Sequence, residues 1–362
     1  MQLVDWRVAT ATATTLVPPG PRLPLEQAVA TVEDLRSLAA EADRHVRGFT
    51  ALNPAGAVAE VTVVDRPGWI RSNVEGFRTL LDPMLDTLAA RRKINALGPV
   101  VGAVGPRATG AEVGALLAYL ATRVLGQFEL LGPAPDESGE AGRLTLVAPN
   151  IVATEQALGV DPHDFRLWVC LHEVTHRTQF AAAPWLQPHV RELLQSYLSA
   201  SDLDPAALMA RLRGALGSIG DVVRGRSDLS LLELVQTPEQ RAVLDRVTGL
   251  MSLLEGHADV VMDGVGPDVV PSVADIRQRF EGRRRSGNPL ERMLRRLFGI
   301  EMKMKQYAEG ATFVRAVVDD VGMEGLNRVW SGPEMLPTGE EIRDPAAWLA
   351  RTATEPPAVT SA

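Results

Sequence analysis

Two histidines separated by three residues, with a glutamate after the first, place the strongest constraint on how this chain folds. His172, Glu173 and His176 form a His-Glu-x-x-His pattern, and residues four apart share one face only in a helix. Asp161 and Pro162 supply a favourable N-cap and first helical position just upstream. The pattern therefore predicts a helix that presents two imidazoles to one metal ion, beside a carboxylate that can take a proton from water.

A catalytic zinc site needs a third protein ligand, and the candidates lie in one predicted helix. Glu255 and Asp259 share a helical face. In thermolysin-like zincins a third-ligand glutamate is followed, four residues later, by an aspartate that holds a ligating histidine, and Glu255 and Asp259 have this spacing. His257 projects roughly 200° away from Glu255, at about 100° per residue, unless Gly256 distorts the helix. We expect Glu255 to be the ligand, with His257 or neither residue as the alternatives, and Asp259 to accept the second N–H of a ligating histidine.

Bulk composition excludes several classes of partner. The chain has 362 residues and a formal net charge of −8, so no global field attracts nucleic acid or an anionic membrane. Hydrophobic residues make up 46% of the chain, enough for a large core at this length. No apolar run reaches the length of a membrane span, and the start lacks the features of a signal peptide. We expect a cytoplasmic protein; its oligomeric state does not follow from the sequence.

The single cysteine, Cys170, excludes an internal disulfide. It precedes the motif within an apolar run, a setting typical of a packed small side chain rather than of a nucleophile or ligand.

The pattern along the chain predicts a mainly α (α+β) fold with a small sheet next to the metal-binding helix. We expect an extended arm over 1–24, one large unit over 25–353 that is either single or has two lobes either side of about 184–204, and a disordered tail over 354–362. Helical periodicity or capping signals predict helices over 25–49, 69–92, 111–131, 150–158, 189–199, 205–216, 228–235, 238–263 and 297–321, and a pair of helices joined by a basic loop over 273–297. Strands are predicted over 61–64 and 143–148.

The second strand precedes the motif helix in the chain, as the substrate-binding edge strand does in zincins. By that analogy, Val147, Ala148 and Asn150 could pair with an extended substrate. The alternative is an ordinary sheet edge, with Asn150 as the N-cap of a short helix.

A basic stretch contains Arg283, Arg284 and Arg285. Because the protein is acidic overall, we expect these arginines to lie in the basic loop of a solvated helix pair. The alternative is a docking surface for an acidic partner.

Four segments resemble a known family, the bacterial zincin-like hydrolases, over about residues 69–348. The segments are 147–151 (VAPNI), 164–180 (DFRLWVCLHEVTHRTQF), 254–259 (LEGHAD) and 303–307 (KMKQY). Members of this family are described as zinc-dependent metalloproteases or as proteins associated with deazaflavin-cofactor biosynthesis. The resemblance implies a largely helical zincin-like fold with a metal site at His172, Glu173 and His176, and Glu255 as a further site residue.

These residues predict metal-assisted hydrolysis of an amide bond, most simply in a peptide. We expect one Zn²⁺ ion, although manganese, iron or cobalt fit similar ligands, and Glu173 as the general base. No histidine follows His257, so the donor that stabilises the oxyanion would be His257, Tyr307 or an arginine. The alternatives are a metal- or partner-binding protein without turnover and a non-peptidase amidohydrolase of cofactor metabolism.

Overall fold

The structure is a computed structural model in which helices dominate and three short strands form one sheet. It describes residues 4–54, 61–92, 99–129, 143–199, 237–285 and 300–353. The chain divides into two compact units: the first comprises Met1–Pro184 and Val265–Arg277, and the second comprises Trp185–Gly264 and Gln278–Ala362. The predicted mainly α (α+β) fold is confirmed. The return of the chain to the first unit at Val265 was not predicted.

The first unit contains six helices and the sheet within its described residues. These elements are α1 (Trp6–Leu16), α2 (Leu25–Thr50), β1 (Val61–Val64), α3 (Arg66–Arg92), α4 (Pro99–Leu120), β2 (Gly126–Phe128), β3 (Leu144–Val147), α5 (Ala148–Leu158) and α6 (Pro162–Ala182). Helix α6, which carries the motif, packs against α2 and against β2. The strand at 61–64 and the start of α2 at residue 25 agree with the sequence analysis.

The three strands lie in the order β1-β3-β2. Strand β3 is parallel to β1, with Val61 opposite Leu144, and antiparallel to β2, with Gly126 opposite Leu146. All four residues of β3 are buried, and all but Thr145 are apolar, as is usual for a strand covered on both faces.

The predicted substrate strand is central in this sheet, which corrects that prediction. The hydrogen-bonding groups of β3 are used by β1 on one side and by β2 on the other, so no edge remains for a substrate at Val147. Ala148 already belongs to α5.

Asn150 lies inside α5 and is not its cap. Its side-chain amide donates to the carbonyl oxygens of Ala121 (2.8 Å) and Val124 (2.6 Å), and its Oδ1 accepts from Arg66 Nε (2.7 Å). The N-cap residue of α5 is Val147. Asn150 is 2% exposed, so its polar atoms hold the turn after α4 in place and do not face a substrate.

Residues 6–16 form a helix where an extended arm was predicted. Asp5 caps α1 by accepting hydrogen bonds from the backbone of Arg7 and Val8, and α1 packs along α4. A Cβ atom added at Gly114 of α4 would lie 2.5 Å from the carbonyl oxygen of Ala9, so the two backbones are in direct contact. Threonine-rich sequence has weak helix propensity, and this tertiary contact stabilises the helix instead.

Helix α4 begins and ends earlier than predicted. It spans Pro99–Leu120 and includes Pro106, whereas the sequence predicted a helix over 111–131. Residues 126–128 form β2 instead, because pairing with β3 decides the conformation of a segment this short.

The secondary-structure elements described in the second unit are all helices or 3-10 turns. Its elements are α7 (Leu186–Ser199), α8 (Pro238–Val265), α10 (Ile300–Leu326, kinked at Gly322), 3-10 turns at Asn327–Trp330 and Pro333–Met335, α11 (Gly339–Arg343) and α12 (Pro345–Ala353), while α9 (Val273–Arg285) includes the unit boundary at Arg277. The predicted start of α8 is confirmed: Thr237 N–H donates to Gln240 Oε1 (3.0 Å), and Gln240 N–H donates to Thr237 Oγ1 (3.1 Å).

Several predictions fall outside the described residues, namely the helices at 205–216 and 228–235, the residues 286–299 and the tail at 354–362. Arg283, Arg284 and Arg285 are the last residues of α9 and not a loop; an acidic partner for them stays a prediction. Within the described ranges, none of the helices combines the length and apolar character that crossing a membrane requires.

Candidate metal centre

Helix α6 is fixed at its start by the signals seen in the sequence. Asp161 Oδ1 accepts the backbone N–H of Asp164 (3.0 Å), and Pro162 takes the first position. Asp164 Oδ2 in turn accepts the backbone N–H (2.8 Å) and the hydroxyl (2.6 Å) of Ser272. The side chain of Asp161 bonds to a backbone N–H that has no partner within the helix. Ser272 connects the first turn of α6 to a segment that is distant in the sequence.

Two ion pairs hold α6 against α2. Arg177 donates to Asp43 (2.6 Å), and Arg166 donates to Asp34 (3.0 Å) while also forming a two-pronged pair with Glu155 of α5. Burial raises the pKa of Glu155 despite the opposing effect of Arg166. Burial also lowers the pKa of Arg177, against the effect of Asp43. Arg177 and Glu155 are buried, and buried charges require their partners; the pairs with the partly exposed Asp43 and Asp34 position α6 along α2.

The two motif histidines face one another across one turn of α6. Their Nε2 atoms are 3.3 Å apart, and their rings are nearly perpendicular at 87°. Two nitrogens bound to one zinc ion at tetrahedral angles and Zn–N distances near 2.0–2.1 Å are about 3.4 Å apart. The pair formed by His172 and His176 therefore fits a zinc ion by donor type and by spacing.

Gln179 contacts His176 on the side away from the other histidine. Its Oε1 lies 2.9 Å from His176 Nδ1, and Gln179 is fully buried while His176 is 8% exposed. The role of this glutamine is not apparent from the His-Glu-x-x-His pattern itself. The signal available was its position three residues after His176, where side chains of a helix meet.

Glu173 is enclosed by the sheet as well as by its own helix. It is 7% exposed, and a Cβ atom added at Gly126 would lie 2.6 Å from its Cγ and Cδ and 2.8 Å from its Oε1. Next to this contact, Phe128 of β2 stacks on Phe180 of α6 with ring centroids 4.6 Å apart. Because Gly126 has no side chain, there is space for the carboxylate of Glu173 beside β2. The sequence did not reveal this role of the glycine.

Glu255 and Asp259 lie on α8 in the second unit, and both are half-buried. Their spacing of four residues places them on one face of that helix. The assignment of Glu255 as third ligand, and of Asp259 as the acceptor of the second N–H of a ligating histidine, stays a prediction.

Gly256 marks a close helix packing rather than a distortion. Helix α8 continues through it, and a Cβ atom there would lie 2.2 Å from the backbone carbonyl carbon of Gly310 in α10. His257 is fully buried, and its ring packs on Trp330 at a centroid distance of 5.5 Å. These contacts are those of a core residue, and a catalytic role for His257 stays a prediction.

Tyr307 belongs to α10, but its side chain lies outside the part of the structure that is described. Its role as oxyanion donor stays a prediction.

The expectation for Cys170 is confirmed. Its thiol is fully buried and contacts the carbonyl oxygen of Leu35 in α2 (3.8 Å). Burial, with a smaller contribution from the nearby Glu173, raises the pKa of this thiol far above its usual range. A thiol held in its neutral form is neither a nucleophile nor a metal ligand.

A helical fold with a small sheet beside a helix bearing paired imidazoles defines a zincin-like protein. Comparison with known proteins agrees: the sequence model of the zincin-like metallopeptidase family matches residues 4–349, and the chain belongs to that family. The crystal structure titled "putative hydrolase with a novel fold", from Chloroflexus aurantiacus, is similar over 98% of this chain and 100% of that chain, with 32% sequence identity and a TM-score of 0.69. A search of curated proteins finds no match. The family resemblance noted in the sequence is confirmed.

Proposed function

We propose that this protein is a metal-dependent hydrolase, specifically a metallopeptidase. The observation that carries the proposal is the 3.3 Å separation of the His172 and His176 Nε2 atoms on one helix face, next to the buried carboxylate of Glu173. Membership of the zincin-like metallopeptidase family supports the same reading.

We propose Glu255 as the third ligand, which gives a donor set of two imidazoles and one carboxylate. This set is that of catalytic zinc sites which keep a position open for water. Glu255 is half-buried on a regular helix, and Asp259 lies one turn further on. Both observations support Glu255 as the third ligand.

A bound zinc ion would supply Lewis acidity, which lowers the pKa of water and polarises a carbonyl group. Glu173 would accept the proton of the attacking water and deliver it to the nitrogen of the leaving amine. Its position against Gly126 restricts the carboxylate to few orientations, as proton transfer at a defined atom requires.

Strand β2 is the better candidate for pairing with an extended substrate, in place of the central β3. In the described part of the sheet, β2 pairs with β3 on one side only, and its first residue contacts Glu173. The backbone of Leu125 bonds to Val147 of β3, and that of Glu129 bonds to Arg143 just before β3. By alternation, the backbone groups of Gly126 and Phe128 point to the opposite side of the strand. A substrate strand added there would run beside the general base.

The proposal is tested first by metal analysis of the purified protein and then by incubating the zinc-loaded protein with a mixed peptide library. Mass spectrometry should detect cleavage by the wild type. Glu173→Gln should retain the metal and lose cleavage, because the amide cannot accept the proton, whereas Glu192→Gln, at an exposed site on α7, should behave as the wild type.

Other outcomes would select the alternative functions. A protein that binds zinc stoichiometrically but cleaves neither peptides nor small amides is a binding protein without turnover. One that cleaves only small amides is an amidohydrolase. Turnover by the Glu173→Gln variant would refute the assignment of the general base.

A further inference from the structure

Gln179 and His176 form a pair that is built entirely within α6. They are three residues apart, and the Nδ1···Oε1 distance of 2.9 Å is that of a normal hydrogen bond. Gln179 has no solvent exposure, so water does not compete for this contact, and a hydrogen bond in such surroundings orients its partners strongly.

With the amide oxygen of Gln179 facing the ring, the contact favours one position for the proton of a neutral His176. An amide oxygen only accepts hydrogen bonds, so the ring must donate from Nδ1. A neutral imidazole has one N–H, and its lone pair is therefore at Nε2. Nε2 is the atom that faces His172 Nε2 at 3.3 Å, which is the position in which a metal ligand needs its lone pair.

The neutral amide of Gln179 suits a site that already contains the buried carboxylate of Glu173. Glu173 is buried on the same helix, and a second buried carboxylate nearby would add like charge in a region of low polarity. A glutamine sets the tautomer and ring orientation without that charge.

We propose that Gln179 is a positioning residue that holds His176 in the tautomer and orientation of a metal ligand. The inference rests on the proposed metal site, but only on its two histidines. It involves neither the identity of the third ligand nor the substrate. Partners of this kind on ligating histidines typically contribute about 10- to 100-fold to metal affinity.

The first test needs no metal. Long-range proton–nitrogen correlation spectra of 15N-histidine-labelled apo-protein, recorded at mildly alkaline pH, report which ring nitrogen is protonated. The protein has six histidines, and His172→Asn and His176→Asn variants assign the two signals. We expect Nδ1–H for His176 in the wild type and a mixture of tautomers in Gln179→Met. A wild-type ring protonated at Nε2 would overturn the proposal.

The second test measures zinc affinity by competition with a chromophoric chelator. Gln179→Met should bind zinc about 10- to 100-fold more weakly, and Gln179→Glu, which keeps an acceptor at the same place, should recover most of the affinity. Thr178→Val is the matched control, because Thr178 is similarly buried on α6 but its hydroxyl donates to the carbonyl of Val174 in the same helix and not to a motif histidine. It should keep wild-type affinity.

The outcomes separate this proposal from the proposed function. Wild-type affinity in Gln179→Met, or equal losses in Gln179→Met and Thr178→Val, would overturn the role of Gln179. A wild-type protein that binds no zinc would refute the metal site, while the tautomer spectra would still report whether Gln179 sets the proton on His176.

Discussion

The carboxylate of Glu173 lies directly against the Cα atom of Gly126, so that a general base on a helix depends on the absence of a side chain on a strand. The two residues are 47 positions apart in the chain, and a Cβ atom on the glycine would come within 2.6 Å of two side-chain carbons of the glutamate. The atoms that would collide belong to the end of a side chain. An added methyl group would therefore move the carboxylate and leave the strand in place.

Gly126→Ala should impair catalysis without unfolding the protein. A displacement of the carboxylate by about 1 Å is expected to reduce kcat on the order of 100-fold, with zinc content unchanged and the free energy of unfolding altered by less than about 1 kcal/mol. Steady-state kinetics on a peptide found in the library screen, together with urea denaturation, would check both parts. Turnover by the alanine variant at the wild-type rate would show that Glu173 does not need this space.

Cys170 should be inert in the folded protein. Because burial raises the pKa of its thiol, the thiolate that reacts with disulfide reagents is scarce at neutral pH. Titration with such a reagent should label no thiol in the native state and one thiol per chain in denaturant. Rapid labelling under native conditions would contradict the buried position.

Two glycine substitutions should change stability in opposite directions, because Gly114 lies in the contact between α1 and α4 and Gly48 does not. Gly114→Ala places a methyl group 2.5 Å from the backbone oxygen of Ala9; the helices must separate, at a cost of about 1–3 kcal/mol. In α2, the methyl group of Gly48→Ala would meet no other packed element within 4 Å in the part of the chain that the structure describes. This substitution should stabilise the protein by about 0.5–1 kcal/mol through helix propensity. Urea denaturation compares the two, and equal effects would rule out the close packing.

Glu341 should make stability depend on pH. Burial acts to raise the pKa of Glu341, but hydrogen bonds from Arg351 and Thr338 outweigh it and lower this pKa below its ordinary value. A lowered folded-state pKa stabilises the protein above the unfolded-state pKa, and this contribution is lost as pH falls through the folded value. Glu341→Gln should thus cost about 1–2 kcal/mol at neutral pH.

The difference in the free energy of unfolding between the wild type and Glu341→Gln should vanish in acid, because the carboxyl group of Glu341 is then also neutral. Chemical denaturation of both proteins across the acidic range gives the measurement, with Glu340→Gln as the control because Glu340 is exposed on the same short helix. A difference that persists unchanged in acid would mean that the charge of Glu341 is not its source.

The parts of the fold that the sequence predicts well are those fixed by local chemistry. Asp161 and Pro162 mark the start of α6, and Thr237 with Gln240 marks the start of α8, because capping bonds join residues only three apart. The two motif histidines meet for the same reason: helical spacing alone brings them together.

The missed features depend on contacts between distant residues. Helix α1 forms because Ala9 packs on Gly114, and β2 forms because Gly126 pairs opposite Leu146. Neither relationship leaves a periodic pattern in its own segment. The substrate strand was misplaced for a related reason, since an apolar run such as β3 does not reveal whether it has one neighbour or two.

Because β2 is short, the proposed proton transfer by Glu173 depends on the register of this strand in the sheet. In a strand, a shift of one residue reverses which side chains face each way, and here it would bring Leu125 or Gln127 to the place of Gly126 against the carboxylate. Within the stretch that joins α4 to β2, changes of residue type can be absorbed, whereas the gain or loss of a single position would close the space that Glu173 occupies. Over evolutionary time the number of residues in this connection should accordingly vary less than their identity.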